Sequence, residues 1–236
     1  MTDLADFPIT RRWPPVRPDV IQLYTLNTPN GIKTSVMLEE CGLDYDAHRI
    51  SITDPEDQMT PEFLSLNPNN KIPAMIDPDG PDGAPMGLWE SGAILIWLAD
   101  KTGRFLPAAG AARYQTLQWL MFQMGGVGPM FGQLGFFHAY KGREIEDKRP
   151  RDRYVAESRR LLGVLDRQLD GREWITGDYS IADIAIAPWV NTLAQGYKAG
   201  ELLGLDEFAR VGAWVERFLA RPAVQRGTQV GAAPAA

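Results

Sequence analysis

The chain has 236 residues, 44% of them hydrophobic and 23% charged, with a formal net charge of −6 at neutral pH. That length gives one large domain or two small ones, the composition is that of an ordinary soluble globular protein, and the negative balance argues against a general nucleic-acid surface. Every apolar run falls short of the roughly 18 residues of a membrane-crossing helix, and the single cysteine, Cys41, excludes an internal disulfide and suits a reducing cytoplasm.

Residues 1–19 are polar and proline-rich, contain Arg11-Arg12 and lack the apolar core of a secretory signal. They read as a loose arm that packs on the body or on a partner subunit. Residues 20–26 read as a buried first strand and 27–31 as a turn. A helix is expected from about Ile32, with Val36, Met37 and Leu38 inward and Gly42 as the glycine past its end. A second strand is expected over 45–52, and a short helix at Pro61, since proline suits a first helical turn. A third strand follows over 73–77, a Pro/Gly/Asp-rich loop over 77–87, a short fourth strand over 87–89 and a helix over 91–101.

After Phe105-Leu106-Pro107 no strand is expected, and 108–112 reads as a linker. Leu117, Leu120, Met121 and Met124 share one helical face. The same period returns at Tyr154, Leu161, Leu162, Leu165 and Leu169, and again at Phe208, Val211, Val215, Phe218 and Leu219. Gly125 to Gln133 reads as a break in the helix or a tight kink, and the aromatic residues Phe136, Phe137 and Tyr140 after it could wall a pocket for an apolar compound. Ser180-Ile181-Ala182-Asp183 has the form of a capping box, a fold-nucleating feature.

Two stretches carry the candidate chemistry. Asn67-Pro68-Asn69-Asn70-Lys71-Ile72-Pro73-Ala74 places Ile72 before a proline, where a cis bond is accessible. A backbone turned outward at Ile72 would pair with an extended, peptide-like ligand. In Glu90-Ser91-Gly92-Ala93, a serine opens a helix, which offers N–H groups and the positive dipole end to a carboxylate, and Glu90 offers charge to an ammonium. Each stretch also reads as an ordinary turn or cap. Thr28-Pro29-Asn30-Gly31 is a third helix start, with a hydroxyl, an amide and backbone N–H groups. It too reads as a turn with a helix cap, since Asn and Gly are common turn residues. Tyr24 reads as core and Cys41 as a packing residue. His48 and His138 lie far apart with no cysteine partner, so no metal site is expected.

Pro73, two strands and Glu-Ser-Gly-Ala opening a helix resemble the glutathione-binding half of the glutathione S-transferase superfamily. Together with Thr28-Pro29-Asn30-Gly31 and Pro61-Glu62-Phe63-Leu64, they resemble its Nu class, the bacterial relatives of a yeast nitrogen regulator, over about residues 20–227. The resemblance implies an α/β thioredoxin-like N-terminal domain (20–106) after the arm (1–19), followed by an all-α helical-bundle C-terminal domain (113–228). It implies that Thr28 and Asn30 activate the sulfur of glutathione in place of a catalytic Tyr, Ser or Cys. The backbone at Ile72-Pro73 would meet the cysteinyl amide, Glu90 and Ser91 the γ-glutamyl end, and Gln58, Lys71 and Arg153 the rest of the ligand. Glutathione is then the co-substrate, with no metal, and the protein a cytoplasmic homodimer without nucleic-acid or membrane partners. The implied reaction is glutathione-dependent disulfide reduction, with conjugation or thioether cleavage on an aromatic electrophile as the alternative. A non-enzymatic regulatory protein is the alternative of another class, and the intact set Thr28, Asn30, Ile72, Glu90 and Ser91 argues against it.

Overall fold

The computed structural model describes residues 3–53 and 55–232, so Met1 and Thr2 of the expected arm lie outside the described residues. Two compact units form. One runs to Thr102 and resumes at Pro222, and the other is Gly103–Arg221.

In the first unit a mixed sheet is built from β1 (Ile21–Thr25), β2 (Tyr45–Arg49), β3 (Ala74–Asp77) and β4 (Met86–Trp89), in the order β2-β1-β3-β4. β1 and β2 are parallel, with Ile21 opposite Tyr45, and β3 runs antiparallel to both β1 and β4. The central strands β1 and β3 are buried throughout, while the edge strand β2 is partly exposed. The helices of this unit are α1 (Ile9–Arg12), α2 (Pro29–Cys41), α3 (Pro55–Gln58), α4 (Pro61–Leu66) and α5 (Ser91–Thr102). α2 begins three residues earlier than expected, because Thr28 caps it and Pro29 takes its first position. Gly42 ends it at φ 69°, a left-handed conformation that costs a glycine little. β2 stops three residues short of the expected Ile52.

The arm is not loose. Leu4 and Ile9 join Tyr24, Ile50, Phe63, Leu66, Ile72, Ala74 and Ile76 in one apolar cluster. Trp13 stands edge-on to both Tyr24 and Phe63, at 6.3 Å from each ring. Phe7 presses on Gly87, where a side chain would meet the Phe7 ring at 3.0 Å. Arg12 pairs with Asp57 at 3.3 Å, and the Val16 and Arg17 N–H groups donate to Asp46. Apolar residues spaced through a polar segment supplied the burial that average polarity hid.

The second unit holds α6 (Gly110–Phe122), α7 (Gly128–His138), α8 (Arg149–Gln168), α9 (Ile181–Gln195), α10 (Gly200–Leu203) and α11 (Ala209–Leu219). No strand occurs among its described elements. The glycine-rich stretch does not break the helix. It passes through a π-helical turn, Gln123–Val127, between α6 and α7. The buried stripe is Thr116, Leu120, Gln123, Val127, Phe131 and Leu134, an ordinary helical spacing that runs one residue earlier than the expected one, and Met121, expected inside, is 54% exposed. α9 is buried from Ile181 to Val190. Its capping box forms as expected: Ser180 Oγ accepts at the helix start, and the Asp183 carboxylate accepts from the Ser180 N–H at 3.0 Å.

From Pro222 the chain returns to the first unit as α12 (Pro222–Gly227), six residues inside the expected limit of the helical domain at 228. Ser35 Oγ donates to the Gly227 carbonyl at 2.8 Å, and Arg226 pairs with Glu39 at 2.6 Å. A side chain at Gly227 would meet Val36 Cα at 2.7 Å, so the glycine lets α12 lie directly on α2.

Candidate functional site

The sharp exit from β1 shapes the start of α2. The Thr28 N–H donates to the Leu26 carbonyl at 2.7 Å, and Thr28 Oγ1 accepts from the Gly31 N–H at 3.2 Å. Accepting that bond leaves the hydroxyl hydrogen of Thr28 to donate. Asn30 is half-buried in the first helical turn. A side chain on Gly31 would lie 2.0 Å from the Leu26 oxygen, so the close turn excludes every other residue there. The N-terminal turn of a 13-residue helix thus carries a hydroxyl, an amide and backbone donors, a setting that favours an anion.

Asn67 organises the second stretch. It is buried, its Oδ1 accepts from the Asn69 N–H at 2.9 Å, and its Nδ2 donates to the Lys71 carbonyl. Asn70 takes φ 48°, and the Ile72–Pro73 bond is cis. Ile72 and Pro73 are buried, whereas Lys71 is exposed. Gln58 is buried at the end of α3. Its neighbour Asp57 accepts from the Ser51 N–H and pairs with Arg12 of the arm.

The third stretch opens α5. Glu90 is exposed at φ 70°, and its carbonyl accepts from the Ile94 N–H at 3.0 Å. Ser91 is buried, and its Oγ accepts from Lys33 Nζ at 3.2 Å. That bond ties the second turn of α2 to the first turn of α5. Lys33 is wholly buried, and burial pushes its ammonium down to about 7, with the Glu90 charge acting the other way. Sequence reasoning passed over Lys33. Its signal was a lysine at the inward spacing three and four residues before Val36 and Met37.

Tyr24 and Cys41 hold no place in this arrangement. Tyr24 is buried against His48, with ring centroids 4.7 Å apart, and its hydroxyl finds no hydrogen-bond partner. Burial raises its phenol above the usual range, the opposite of what a sulfur-activating tyrosine needs. Cys41 sits in the last turn of α2, its Sγ 3.5 Å from Thr102 Oγ1. At 1.5 Å per residue it lies about 18 Å from the first turn. Arg153 is exposed on α8 in the second unit. Phe137 stacks on Tyr154 at 5.7 Å, and Tyr140 stands edge-on to Tyr197 while 58% exposed. Among the described residues, no three His, Cys, Asp or Glu side chains gather as a metal site, and no helix is long and apolar enough to cross a membrane.

The family model for the glutathione S-transferase N-terminal domain matches residues 29–101, and that for the glutathione S-transferase C-terminal domain matches residues 129–222. The chain belongs to the glutathione S-transferase family. Within that family it is 43% identical over 206 residues to the disulfide-bond oxidoreductase YfcG of Escherichia coli K12, covering 86% of this chain and 92% of that one. It superimposes on a glutathione transferase from Pseudomonas putida that holds one glutathione disulfide per subunit. There the TM-score is 0.95 at 61% identity, with 97% of this chain and 99% of that chain covered. A glutathione transferase from Burkholderia graminis with two glutathione molecules per subunit gives a TM-score of 0.94 at 63% identity, covering 97% and 95%. Thr28, Asn30, Ile72, Pro73, Glu90 and Ser91 all lie in the first unit.

Proposed function

We propose that this glutathione S-transferase is a glutathione-dependent disulfide-bond reductase whose own residues activate the thiolate of glutathione. What supports the reading above all is the Lys33–Ser91 bond, which joins two helix starts, one suited to a sulfur anion and one to a carboxylate. The extended peptide between these ends would meet the backbone at Ile72 and Pro73, with Gln58 and Lys71 on its glycyl side and Glu90 on its amine. Arg153 takes its role from the family resemblance alone.

With no cysteine near Thr28, both thiols come from the co-substrate. A first glutathione thiolate, held by Thr28 and Asn30, attacks one sulfur of the substrate disulfide, forming a mixed disulfide and releasing one thiolate. A second glutathione thiolate attacks the glutathione sulfur of that mixed disulfide, forming glutathione disulfide and releasing the other thiolate. Two protons from the two glutathione thiols finish on the released thiols. The Pseudomonas putida relative with glutathione disulfide and the Burkholderia graminis relative with two glutathiones support a site of that capacity.

Turnover of a small model disulfide with reduced glutathione, coupled to glutathione reductase, is expected to exceed conjugation of a chloronitrobenzene. The reverse ranking would make the chain a conjugating transferase, with exposed Phe136 and Tyr140 as candidate walls for the electrophile. Silence in both assays with glutathione still bound would favour a regulatory binding protein.

We also infer a cytoplasmic homodimer. Tyr114 (72% exposed) and Met121 (54% exposed) stand on one face of α6, seven residues apart, and give a second copy an apolar surface to cover. Light scattering is expected to return twice the 26.2 kDa chain mass; a monomer at micromolar concentration would refute it.

A further inference from the structure

The chain leaves β1 at Thr25 and enters α2 at Pro29, so Leu26, Asn27 and Thr28 make the whole turn. Leu26 is its pivot, since its carbonyl accepts from the Thr28 N–H at 2.7 Å. Two glycines crowd the peptide that joins Leu26 to Asn27. One is Gly31 of α2, where a side chain would lie 2.0 Å from the Leu26 oxygen. The other is Gly231, from the segment after α12, where a side chain would meet Leu26 Cα at 3.0 Å and the Asn27 nitrogen at 3.2 Å. Gly231 takes φ 71°, which a glycine adopts at little cost. That segment holds its own shape: the Thr228 N–H donates to the Val224 carbonyl at 2.9 Å, and the Val230 N–H to the Gly227 carbonyl at 3.3 Å. Asn27 binds it twice. Its N–H donates to the Gly231 carbonyl at 3.4 Å, and its Nδ2 donates to the Thr228 carbonyl at 2.6 Å. Asn27 is exposed, so water would satisfy both donors equally well. What the two bonds add is a fixed backbone next to Thr28.

We propose that Asn27 and Gly231 are positioning residues for the sulfur-activating turn: through them the segment 228–231 clasps the Leu26–Asn27 peptide and fixes where the Thr28 hydroxyl points. This rests on the reading of Thr28 as a contact of the glutathione sulfur. Asn27 and Gly231 act through Thr28 and are not themselves ligand contacts. Thr28 is the extended cap residue of α2, at φ −128° and ψ 163°, so the direction of its hydroxyl follows the backbone that delivers it. A donor aimed in advance stabilises an anion without rearranging, and a misplacement of about 1 Å costs as much as about 10²-fold in rate. A turn released from the segment aims Thr28 at the sulfur for only part of the time, so the thiolate loses stabilisation. The contacts proposed for the peptide ends, at Ile72, Glu90 and Ser91, belong to other elements, so the loss falls on the chemistry rather than on glutathione binding.

The test compares Asn27→Ala, Gly231→Ala and the double variant with wild type in the full chain, by disulfide turnover with reduced glutathione across pH and by thermal melting. Asn27→Ala removes the side-chain bond. Gly231→Ala sets a methyl group against Leu26 at a φ that alanine resists, and so lifts the segment off the turn. Each single variant is expected to lose about five- to tenfold in kcat, with the KM for glutathione within about twofold of wild type. In each, the apparent pKa of the bound thiol should rise in the pH–rate profile. The double variant should fall no more than about twofold below the weaker single one, because both release the same clasp. Wild-type kcat and pH profile in both single variants would overturn the inference. A lower melting temperature with an unmoved profile would also overturn it, since a purely structural contact gives that result. Losses that multiply in the double variant would assign the two residues unrelated roles and overturn it as well. Wild-type turnover in a Thr28→Ala/Asn30→Ala variant would instead overturn the reading of the turn, and this inference with it.

Discussion

A Thr28→Ala/Asn30→Ala variant is expected to lose about 10²–10³-fold in glutathione-dependent disulfide turnover, the size of effect seen when preorganised donors to a developing or bound anion are removed. The loss should fall on kcat more than on the KM for glutathione, because both residues sit at the α2 start, away from the contacts proposed for the peptide ends. The apparent pKa of the bound thiol, read from the pH–rate profile, should move up toward the free-thiol value of about 8.5. Thr28 also caps α2 through the Gly31 N–H, and losing a cap costs about 1 kcal/mol. Thr28→Ser keeps both cap and hydroxyl and so separates the two roles: it should retain most activity, and Asn30→Ala alone should show an intermediate loss. Turnover of the double variant within about twofold of wild type would remove both residues from the chemistry.

The largest stability effect is expected at Asp183. Its carboxylate is fully buried and accepts four bonds: from the Ile175 N–H at 3.0 Å, Trp214 Nε1–H at 2.9 Å, and the Ser180 N–H and Oγ–H at 3.0 and 3.1 Å. These donors tie α9 to α11 and to the segment before Ser180. Asp183→Ala strands them in the core at about 1–3 kcal/mol per unsatisfied donor, and partial relaxation leaves an expected net loss of about 4 kcal/mol. That is a large part of a typical stability of about 5–15 kcal/mol. Desolvation, working against the donors, raises this carboxyl from 3.8 to about 6. The native state then keeps, between about pH 4 and 6, a proton the unfolded chain releases, so this group's contribution is greatest below pH 4 and declines as pH rises through 6. Urea unfolding should therefore show the gap between wild type and Asp183→Asn narrowing from about pH 5 to pH 7.5. A pH-independent gap would contradict the shift, and a loss under 1 kcal/mol in Asp183→Ala would contradict the network.

Much of this was legible in the residues because local rules and tertiary structure agree. Thr28-Pro29, Gly42 and Ser180–Asp183 are start and stop signals whose physics is complete within a few residues. The buried strands announce themselves as apolar runs. Other features depend on partners far along the chain. Lys33 reads as an ordinary helix lysine until Ser91, 58 residues later, is seen beside its Nζ. The arm reads as polar because its apolar residues, Leu4, Phe7, Ile9 and Trp13, are too scattered to form a period, although each finds a place in one cluster or at its edge. Met121 lies on the apolar period of Leu117, Leu120 and Met124, but the buried stripe runs one residue earlier, through the polar Thr116 and Gln123 that an apolar count passes over.

The return of α12 to the first unit bears on how the protein is made. Gly227 seats on Val36, and the Thr228 carbonyl accepts from Asn27 Nδ2 at 2.6 Å, so the α2 surface stays uncovered until those residues are synthesised. At about 5–20 residues per second, the ribosome takes on the order of ten seconds to translate Gly103–Arg221 before reaching Pro222. The part of the molecule that emerges first is thus the part that is finished last. During that interval the nascent thioredoxin-like unit leaves Ser35, Val36 and Glu39 of α2 without the α12 partners they have in the finished protein.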